Sequence, residues 1–420
     1  MELFGLHSLW IIPQVVYNIK ERKYHPKKGE KMKILHISDL HIGKKLNGFS
    51  MLENQEHMLY QVLDIVDAEK PEAVVIAGDV YDKSIPPTEA ISIFDDFLVK
   101  LSQKETKTMI ISGNHDSAER LAFGNRLIER SGVYISPVYS GQVKPVVIDD
   151  EYGQVNFYML PFVKPAHVRR FYEDKGIENF TDAIRVATEE MHIDESQRNV
   201  LVAHQFITNA EKSESEEMMV GGLENVDASS VEAFDYVALG HIHKAQTLGK
   251  GNIRYCGTPL KYSFSEKDQV KSVTLVEMGQ KGDVNIREIP LKPLIDLREI
   301  KGTFGELTSK EYYSQGDKAE NGQSGDFRQD YLRIVLTDDD YVTNAMAKLR
   351  QIYPNVMILE YDNKRTRSAA TVGSGTLRAE KGPLDNFKDL FTTINGKEMS
   401  AEQEKLVQEI VDEIWGNGEA

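Results

Sequence analysis

The chain of 420 residues has one cysteine, Cys256, and lacks long apolar runs. A single cysteine excludes an intrachain disulfide and is typical of a reducing cytoplasm, where we expect the protein to act. Without an apolar run of about 18 residues, the sequence predicts no membrane span. Basic residues are also few, since 50 lysines and arginines stand against 66 aspartates and glutamates, which gives a formal net charge of −16. Nonspecific affinity for nucleic acid comes mainly from basic side chains, so strong binding of this kind by the chain alone is not expected.

The first 31 residues lack the features of an export signal. The apolar stretch 9–16 is broken by Pro13 and precedes the basic run 20–31, whereas a secretory signal begins with its basic residues and ends at a small-residue cleavage site. Met32 stands directly before the first predicted strand. We therefore expect residues 1–31 to be a disordered extension from an upstream start, and a membrane-surface anchor is the alternative.

Five short polar segments each follow an apolar run that predicts a buried strand. They are Asp39-Leu40-His41, Gly78-Asp79-Val80-Tyr81-Asp82, Gly113-Asn114-His115-Asp116, Ala203-His204-Gln205 and Gly240-His241-Ile242-His243, after runs at 34–37, 73–77, 108–111, 200–202 and 236–239. The carboxyl ends of strands in an α/β sheet line the crevice where ligands bind, so distant segments can meet in one pocket.

The polar side chains of these segments are metal ligands by type. Carboxylate, amide and imidazole groups without cysteine suit Mn, Fe, Zn or Mg and argue against a structural zinc site. Seven candidates suit two ions that share the carboxylate of Asp79: Asp39, His41, Asp79, Asn114, His204, His241 and His243. Two such ions can polarise a phosphate and lower the pKa of a water molecule until it is hydroxide at neutral pH. The pattern therefore predicts hydrolysis without a covalent enzyme intermediate.

His115 has a different predicted role. Because it is the sequence neighbour of Asn114, we expect it to point away from the metal that Asn114 binds and toward the leaving oxygen, as a general acid or charge stabiliser. His36, inside the first predicted strand, is expected to pack or to support a ligand. Each segment alone is an ordinary strand-to-turn signal, and their number and order favour the metal site.

These segments resemble the calcineurin-like metallophosphoesterases, and within them the SbcD family of nuclease subunits. The matching stretches are KILHISDLHIGKKLNG, AVVIAGDVYDKSIPP, IISGNHDSAERL, VAHQF, DYVALGHIHKAQ and YCGTPLKYSFSE. The resemblance implies one metal at Asp39, His41 and His243, a second at Asn114, His204 and His241, and Asp79 as the bridge. It also implies His115 as the catalytic histidine and Asp82 as the carboxylate that orients it.

The chain departs from the protein phosphatases of this superfamily after the second segment. Those enzymes continue with arginine and glycine, where this chain has Lys83 and Ser84. The arginine that clamps a phosphomonoester is therefore missing.

The resemblance also implies the domain organisation. We expect an α/β fold with a metallophosphoesterase β-sandwich flanked by helices at 32–290, and a small α/β capping domain at 295–362. The resemblance implies C-terminal partner-binding helices at 384–420. Between these parts, the basic residues among Ser, Gly and Thr at 363–383 have the composition of a flexible basic linker. In the capping domain we predict strands at 331–336 and 356–361, a helix at 341–352 and a polar insertion at 316–325.

The predicted helix at 401–415 has an apolar stripe opposite glutamates. Its members are Leu406, Val407, Ile410, Val411, Ile414 and Trp415. Such a stripe after a linker is suited to docking a partner, and packing against the chain's own cap is the alternative.

The function implied by the resemblance is that of a Mn²⁺-dependent nuclease subunit. It would act on DNA as a double-strand exonuclease and a single-strand or hairpin endonuclease in repair, recombination and replication. An SbcC-like coiled-coil ATPase would gate it, with a homodimer within a heterotetramer. One alternative is a calcineurin-like phosphodiesterase that acts on nucleotides, and a more distant one is a non-catalytic subunit that binds DNA ends.

Overall fold

A computed structural model provides the structure of the chain. It describes residues 31–208, 210–211, 213–215, 224–314, 326–363, 366, 383–395 and 397–415. The expectations for residues 1–30, for the insertion at 316–325 and for most of the linker lie outside these described residues. None of the described helices has both the length and the apolar character that a membrane crossing requires.

The segment 32–290 contains sixteen strands and six α-helices among its described residues. The strands are β1 (Met32–Ile37), β2 (Lys45–Leu46), β3 (Phe49–Ser50), β4 (Ala73–Ala77), β5 (Lys107–Ile111), β6 (Val133–Ile135), β7 (Val146–Asp150), β8 (Gly153–Met159), β9 (Arg198–His204), β10 (Phe206–Ile207), β11 (Asn225–Val226), β12 (Tyr236–Gly240), β13 (Gln246–Leu248), β14 (Ile253–Tyr255), β15 (Ser272–Met278) and β16 (Val284–Pro290). The helices are α1 (Leu52–Glu69), α2 (Thr88–Ser102), α3 (Ala118–Leu121), α4 (Asn125–Ile128), α5 (Pro165–Arg169) and α6 (Phe180–Glu189).

Two six-stranded sheets form the centre of this segment. The first has the order β16-β15-β1-β4-β5-β6, with β1, β4, β5 and β6 parallel to one another. The second has the order β13-β14-β12-β9-β8-β7, with β14, β12, β9 and β8 parallel. Each of the five polar segments lies at the carboxyl end of one of these parallel strands: three follow β1, β4 and β5, and the other two begin in the last residues of β9 and β12. The predicted strand-end placement is confirmed.

The sheets pack face to face through an apolar layer, and helices cover their outer faces. Val75 of the first sheet and Phe157 of the second are both fully buried in this layer. On the outside, Val62 of α1 and Phe97 of α2 pack on the first sheet, and Ile184 of α6 packs on the second. Central strands are thus buried on both sides, which explains why they read as continuous apolar runs rather than as alternating ones. The predicted β-sandwich flanked by helices is confirmed.

A third, all-parallel sheet follows the sandwich. The strands and α-helices among the described residues after 290 are β17 (Leu297–Gly302), α7 (Phe304–Leu307), α8 (Lys310–Tyr313), β18 (Tyr331–Leu336), α9 (Ala345–Leu349), β19 (Val356–Tyr361), α10 (Pro383–Asn395) and α11 (Ala401–Trp415). The sheet order is β17-β18-β19. The predicted strands at 331–336 and 356–361 are confirmed, and β17 is an additional strand.

The helix predicted at 341–352 is much shorter than expected. It begins only at Ala345, because Asn344 just before it has a left-handed backbone with φ of 56°, and it ends at Leu349. A left-handed residue cannot continue a right-handed helix, so 341–344 form no helix. The helix predicted at 401–415 agrees with α11 in both its bounds.

Candidate active site

Four predicted metal ligands have left-handed backbone conformations, which non-glycine residues seldom adopt. Their φ values are 53° for Asp39, 44° for His41, 49° for Asp79 and 95° for His241. Such strain persists only where the surroundings hold it. Here two backbone hydrogen bonds of 3.0 Å hold the first two segments together, from Asp39 N to Gly78 O and from His41 N to Asp79 O. The unusual turns aim these side chains into one pocket.

Glycines before three of the ligands allow the segments to approach closely. A Cβ atom at Gly113 would lie 2.1 Å from Oδ1 of Asp79, and one at Gly240 would lie 2.0 Å from the carbonyl oxygen of Ala77. At Gly78 it would lie 2.4 Å from Nδ1 of His204. Only glycine fits at these positions without displacement of a neighbour. The glycines of the motifs are therefore packing requirements of the site.

Asp79 lies at the centre of the cluster. Its Oδ2 is 3.3 Å from Nε2 of His204 and 3.7 Å from Nε2 of His41. Its Oδ1 accepts a hydrogen bond of 2.9 Å from the backbone N–H of His115. The carboxylate thus faces one histidine of each predicted metal group, as a bridging ligand must.

The predicted second group of ligands converges on the amide of Asn114. Oδ1 of Asn114 is 2.9 Å from Nε2 of His204 and 2.9 Å from Nδ1 of His241. Nδ1 of His204 donates to the carbonyl oxygen of Ala77 at 2.8 Å, which leaves Nε2 directed into the site. These three side chains meet as one ligand group.

The predicted first group contains a histidine that fits a cation. The ligand atoms of Asp39, His41 and His243 all lie within 4.8 Å of one another. His41 is buried, and neither nitrogen of its ring has a hydrogen-bond partner among the residues that the structure describes. A buried unsatisfied polar group costs stability unless something binds it. A divalent cation is a suitable partner, so the residues fit two such ions.

The electrostatics of the cluster also suit cations. Burial lowers the pKa of His241 to about 3 and the pKa of His41 well below its usual value, so both rings keep a lone pair for a metal. Burial opposes ionisation of Asp79, but the facing imidazoles, first that of His204, lower its pKa below the usual range. Burial would also lower the pKa of His204, yet Asp79 raises it to about 9. The carboxylate therefore attracts positive charge to this point.

Two families match the chain in consecutive parts. Residues 32–245 match the calcineurin-like phosphoesterases, and residues 293–395 match the type 5 capsule protein repressor C-terminal domain. The SbcD protein of the nuclease SbcCD from Staphylococcus epidermidis is 35% identical over 332 residues, which cover 78% of this chain and 85% of that protein. The protein of the same name from Staphylococcus saprophyticus is 32% identical over 395 residues, which cover 92% of this chain and 100% of that protein. The chain belongs to the SbcD family. The predicted resemblance is confirmed.

In this SbcD chain, His115 stands at the open side of the cluster. Its Nδ1 donates a hydrogen bond of 3.0 Å to the backbone carbonyl of Asp82, and its Nε2 lies 4.0 Å from Oδ2 of Asp79. The side chain is 14% exposed, whereas that of Asp79 is 3% exposed. The carboxylate of Asp82 instead accepts a hydrogen bond of 2.7 Å from Lys44. Asp82 thus adjoins His115 as expected, but its main chain and not its carboxylate holds the ring.

Asp116 lies beside the cluster, and no role was predicted for it from the sequence. Its buried carboxylate accepts hydrogen bonds from the backbone N–H groups of Gly113 at 2.9 Å, Tyr81 at 2.9 Å and Val80 at 3.1 Å. Burial and the charge of Asp79 raise the pKa of Asp116 to about 6. Asp116 ties the second segment to the third. Its position at the end of Gly-Asn-His-Asp was the available signal.

Two further residues lie just outside the cluster. His36 is packed as expected, with Nδ1 2.8 Å from the hydroxyl oxygen of Tyr236. Glu266 is the last residue of the stretch YCGTPLKYSFSE and is fully buried near His243. The sequence offered no role for Glu266 beyond its place in that stretch.

Proposed function

We propose that this SbcD chain hydrolyses phosphodiester bonds of DNA at a pair of divalent cations, with Mn²⁺ as the preferred metal. Its class, a metal-dependent nuclease, is that of the family to which it belongs. One observation carries the detailed proposal: the other six predicted ligands converge around Asp79, and a partly exposed histidine stands beside them. A non-catalytic subunit would have no need of such a complete set.

The proposed assignment follows the two groups that the side chains form. Asp39, His41 and His243 would hold one cation. Asn114, His204 and His241 would hold the other, with Asp79 shared between them. When bound, such a pair neutralises phosphate charge, orients the phosphate and activates a water molecule for attack on phosphorus.

His115 would act on the leaving group. Because the carbonyl of Asp82 fixes Nδ1 as the protonated nitrogen, Nε2 is free to face the substrate. A protonated ring there can donate a proton to the leaving oxygen or stabilise its charge, which typically contributes about 10²- to 10⁴-fold to a rate. The ring of His41 packs edge-on against it with centroids 4.8 Å apart, which limits its rotation.

The third sheet supports a role in the selection of DNA ends. Phe49, in the short hairpin after His41, packs against Tyr331 of β18 with ring centroids 5.8 Å apart. Lys261 of the sandwich lies 2.9 Å from Asp296, next to β17. We therefore propose that residues 295–362 cap the nuclease domain. Exonuclease action on duplex ends and endonuclease action on single strands or hairpins would follow from the access that this cap allows.

The C-terminal helices support the proposal of an ATPase partner. Leu406 and Ile410 of α11 are 58% and 46% exposed, and both lie on the predicted apolar stripe. An exposed apolar stripe on a terminal helix is suited to a coiled-coil partner. An SbcC-like ATPase would dock here and gate cleavage, in a heterotetramer built on a homodimer of this chain.

The deciding experiment is cleavage of an end-labelled DNA duplex by the purified full chain with Mn²⁺, with and without the SbcC-like ATPase and ATP. We expect cleavage that requires Mn²⁺ and increases with the ATPase and ATP. No cleavage of DNA in either condition, together with rapid hydrolysis of a small nucleotide phosphodiester, would overturn the proposal in favour of a nucleotide phosphodiesterase.

A further inference from the structure

We propose that Ser215, Glu266 and Lys271 form a clamp that positions His243 for its cation. The clamp rests on the proposed metal site and adds three residues to it that no motif singles out as functional. Its members come from two separate parts of the chain, since Ser215 and Glu266 are 51 positions apart. None of the three is a ligand by itself, so they are positioning residues.

The contacts form a closed circuit around His243. Oγ of Ser215 lies 2.6 Å from Nδ1 of the His243 ring and donates a hydrogen bond of 2.5 Å to Oε1 of Glu266. Nζ of Lys271 lies 2.5 Å from Oε2 of Glu266 and donates to the backbone carbonyl of His243 at 2.9 Å. The ring of His243 is therefore held by Ser215 and its main chain by Lys271, and both of these residues contact the carboxylate of Glu266.

The proton arrangement follows from these donors and acceptors. Because the Ser215 hydroxyl gives its hydrogen to the Glu266 carboxylate, its oxygen accepts from Nδ1–H of His243. The lone pair of the neutral ring is then on Nε2, the nitrogen available to a cation alongside Asp39 and His41. A histidine held in this way is a more basic and better oriented metal ligand.

The burial of the two charged residues of the clamp indicates a role beyond stabilising the local fold. Glu266 is 0% exposed and Lys271 is 7% exposed. Taking both charges out of water costs about as much as their attraction returns, and apolar residues of similar size would often be as stable. The charged pair therefore has little value for stability alone. Its position next to His243 instead suits it to orient this histidine for the metal site.

Two other histidines of the site are held by main-chain oxygens. His204 donates to the main-chain carbonyl of Ala77 and His115 to that of Asp82. Side-chain substitution cannot remove those acceptors, whereas substitution can remove Ser215 or Glu266. Substitution of Ser215 or Glu266 can therefore weaken one metal position without changing a ligand.

The test is a titration of the metal-free full chain with Mn²⁺ by calorimetry, with the unfolding temperature of each metal-free variant measured in parallel. Ser215→Ala should weaken one of two Mn²⁺ sites about 10- to 100-fold and leave the other unchanged. The unfolding temperature should stay within about 2 °C of the parent, because the substitution leaves the core intact. Ser196→Ala is the matched control, since Ser196 also donates to a carboxylate, that of Asp194 at 2.6 Å, but touches no histidine.

A second variant tests the charged pair without leaving one buried charge unpaired, which could unfold the chain. Glu266→Leu combined with Lys271→Met removes both charges at similar volume. Weakening of the same single site in this variant supports the clamp. Two Mn²⁺ sites of parental affinity in both variants would overturn it. If the parent chain itself bound no Mn²⁺, the proposed metal site would fail and the clamp with it, so the two failures are distinguishable.

Discussion

Nδ1 of His115 donates its hydrogen bond to the backbone carbonyl of Asp82, at 3.0 Å, and not to the Asp82 carboxylate. That carboxylate accepts from Lys44 at 2.7 Å and lies 3.8 Å from Nδ1 of His41. Main-chain orientation makes the position of the His115 ring independent of the side chain at 82. The Asp82 carboxylate instead holds the ammonium group of Lys44 beside the site.

The substitution Asp82→Asn should therefore preserve the orientation of His115. We expect the rate of DNA cleavage with Mn²⁺ to fall by no more than about tenfold, well below the 10²- to 10⁴-fold typical of a lost general acid. Single-turnover cleavage of a labelled duplex measures this, with Asp95→Asn on the surface of α2 as the control. A loss as large as that of His115→Ala would mean that the carboxylate does orient the ring.

Substitutions of His115 and of Asp79 should have different effects on metal content. His115→Ala should retain two Mn²⁺ per chain and lose most cleavage, because in this proposal the ring acts on the leaving group and binds no metal. Asp79→Ala should lose both, since Asp79 faces both ligand groups. Elemental analysis of the dialysed variants gives the comparison. Equal loss of metal in the two variants would identify His115 as a ligand.

Gly113 should tolerate no side chain. A Cβ there would lie 2.1 Å from Oδ1 and 2.5 Å from the backbone nitrogen of Asp79, so Gly113→Ala must displace the shared carboxylate. We expect loss of Mn²⁺ binding and of cleavage. Gly305→Ala is the control, because a Cβ at Gly305 meets no atom within 4 Å. Parental Mn²⁺ affinity in Gly113→Ala would contradict the packing argument.

His36 should make the stability of the chain depend on pH. Burial, with the nearby charge of Arg254, lowers its pKa from 6.5 to about 3. Between those values the unfolded chain binds a proton at this ring and the folded chain does not, so falling pH favours unfolding. The free energy of unfolding should drop by about 2 kcal/mol from this group between pH 7 and pH 5.

Urea titrations at pH 7 and pH 5 check the contribution of His36. His36→Leu cannot take up a proton, so its free energy of unfolding should fall by about 2 kcal/mol less over this pH range than that of the parent. Its absolute stability at pH 7 can differ, because the contact with the hydroxyl of Tyr236 is lost. Identical pH dependence in the two chains would show that the folded ring titrates normally.

The apolar stripe on α11 should be needed for binding of the ATPase and not for hydrolysis of phosphodiester bonds. Leu406→Asp with Ile410→Asp should abolish co-purification with the SbcC-like ATPase while hydrolysis of a small phosphodiester is unchanged. Deletion of residues 384–420 should do the same. Lys405→Asp, an exposed position on the opposite face of the helix, is the control for added negative charge. Retained co-purification would place the partner elsewhere on the chain.

The sandwich strands and the set of candidate ligands that meet around Asp79 could be predicted from the sequence. Central strands such as β4 are buried on both faces, so their apolar runs are visible without any partner. The polar segments lie at the ends of those strands, and the order of the segments indicated the family. Helix α11 was also visible, because its apolar stripe has the helical period.

How those residues are held depends on the packing of the folded chain. The acceptor for His115 is a main-chain oxygen, which has no sequence signature. The roles of Asp116 and Glu266 depend on backbone and side-chain groups from other segments, up to 51 positions away. The late start of α9 depends on the left-handed turn at Asn344. Residue types and periodicity are local properties that a sequence displays, whereas hydrogen-bond partners are chosen by packing between distant segments, and the sequence does not display them.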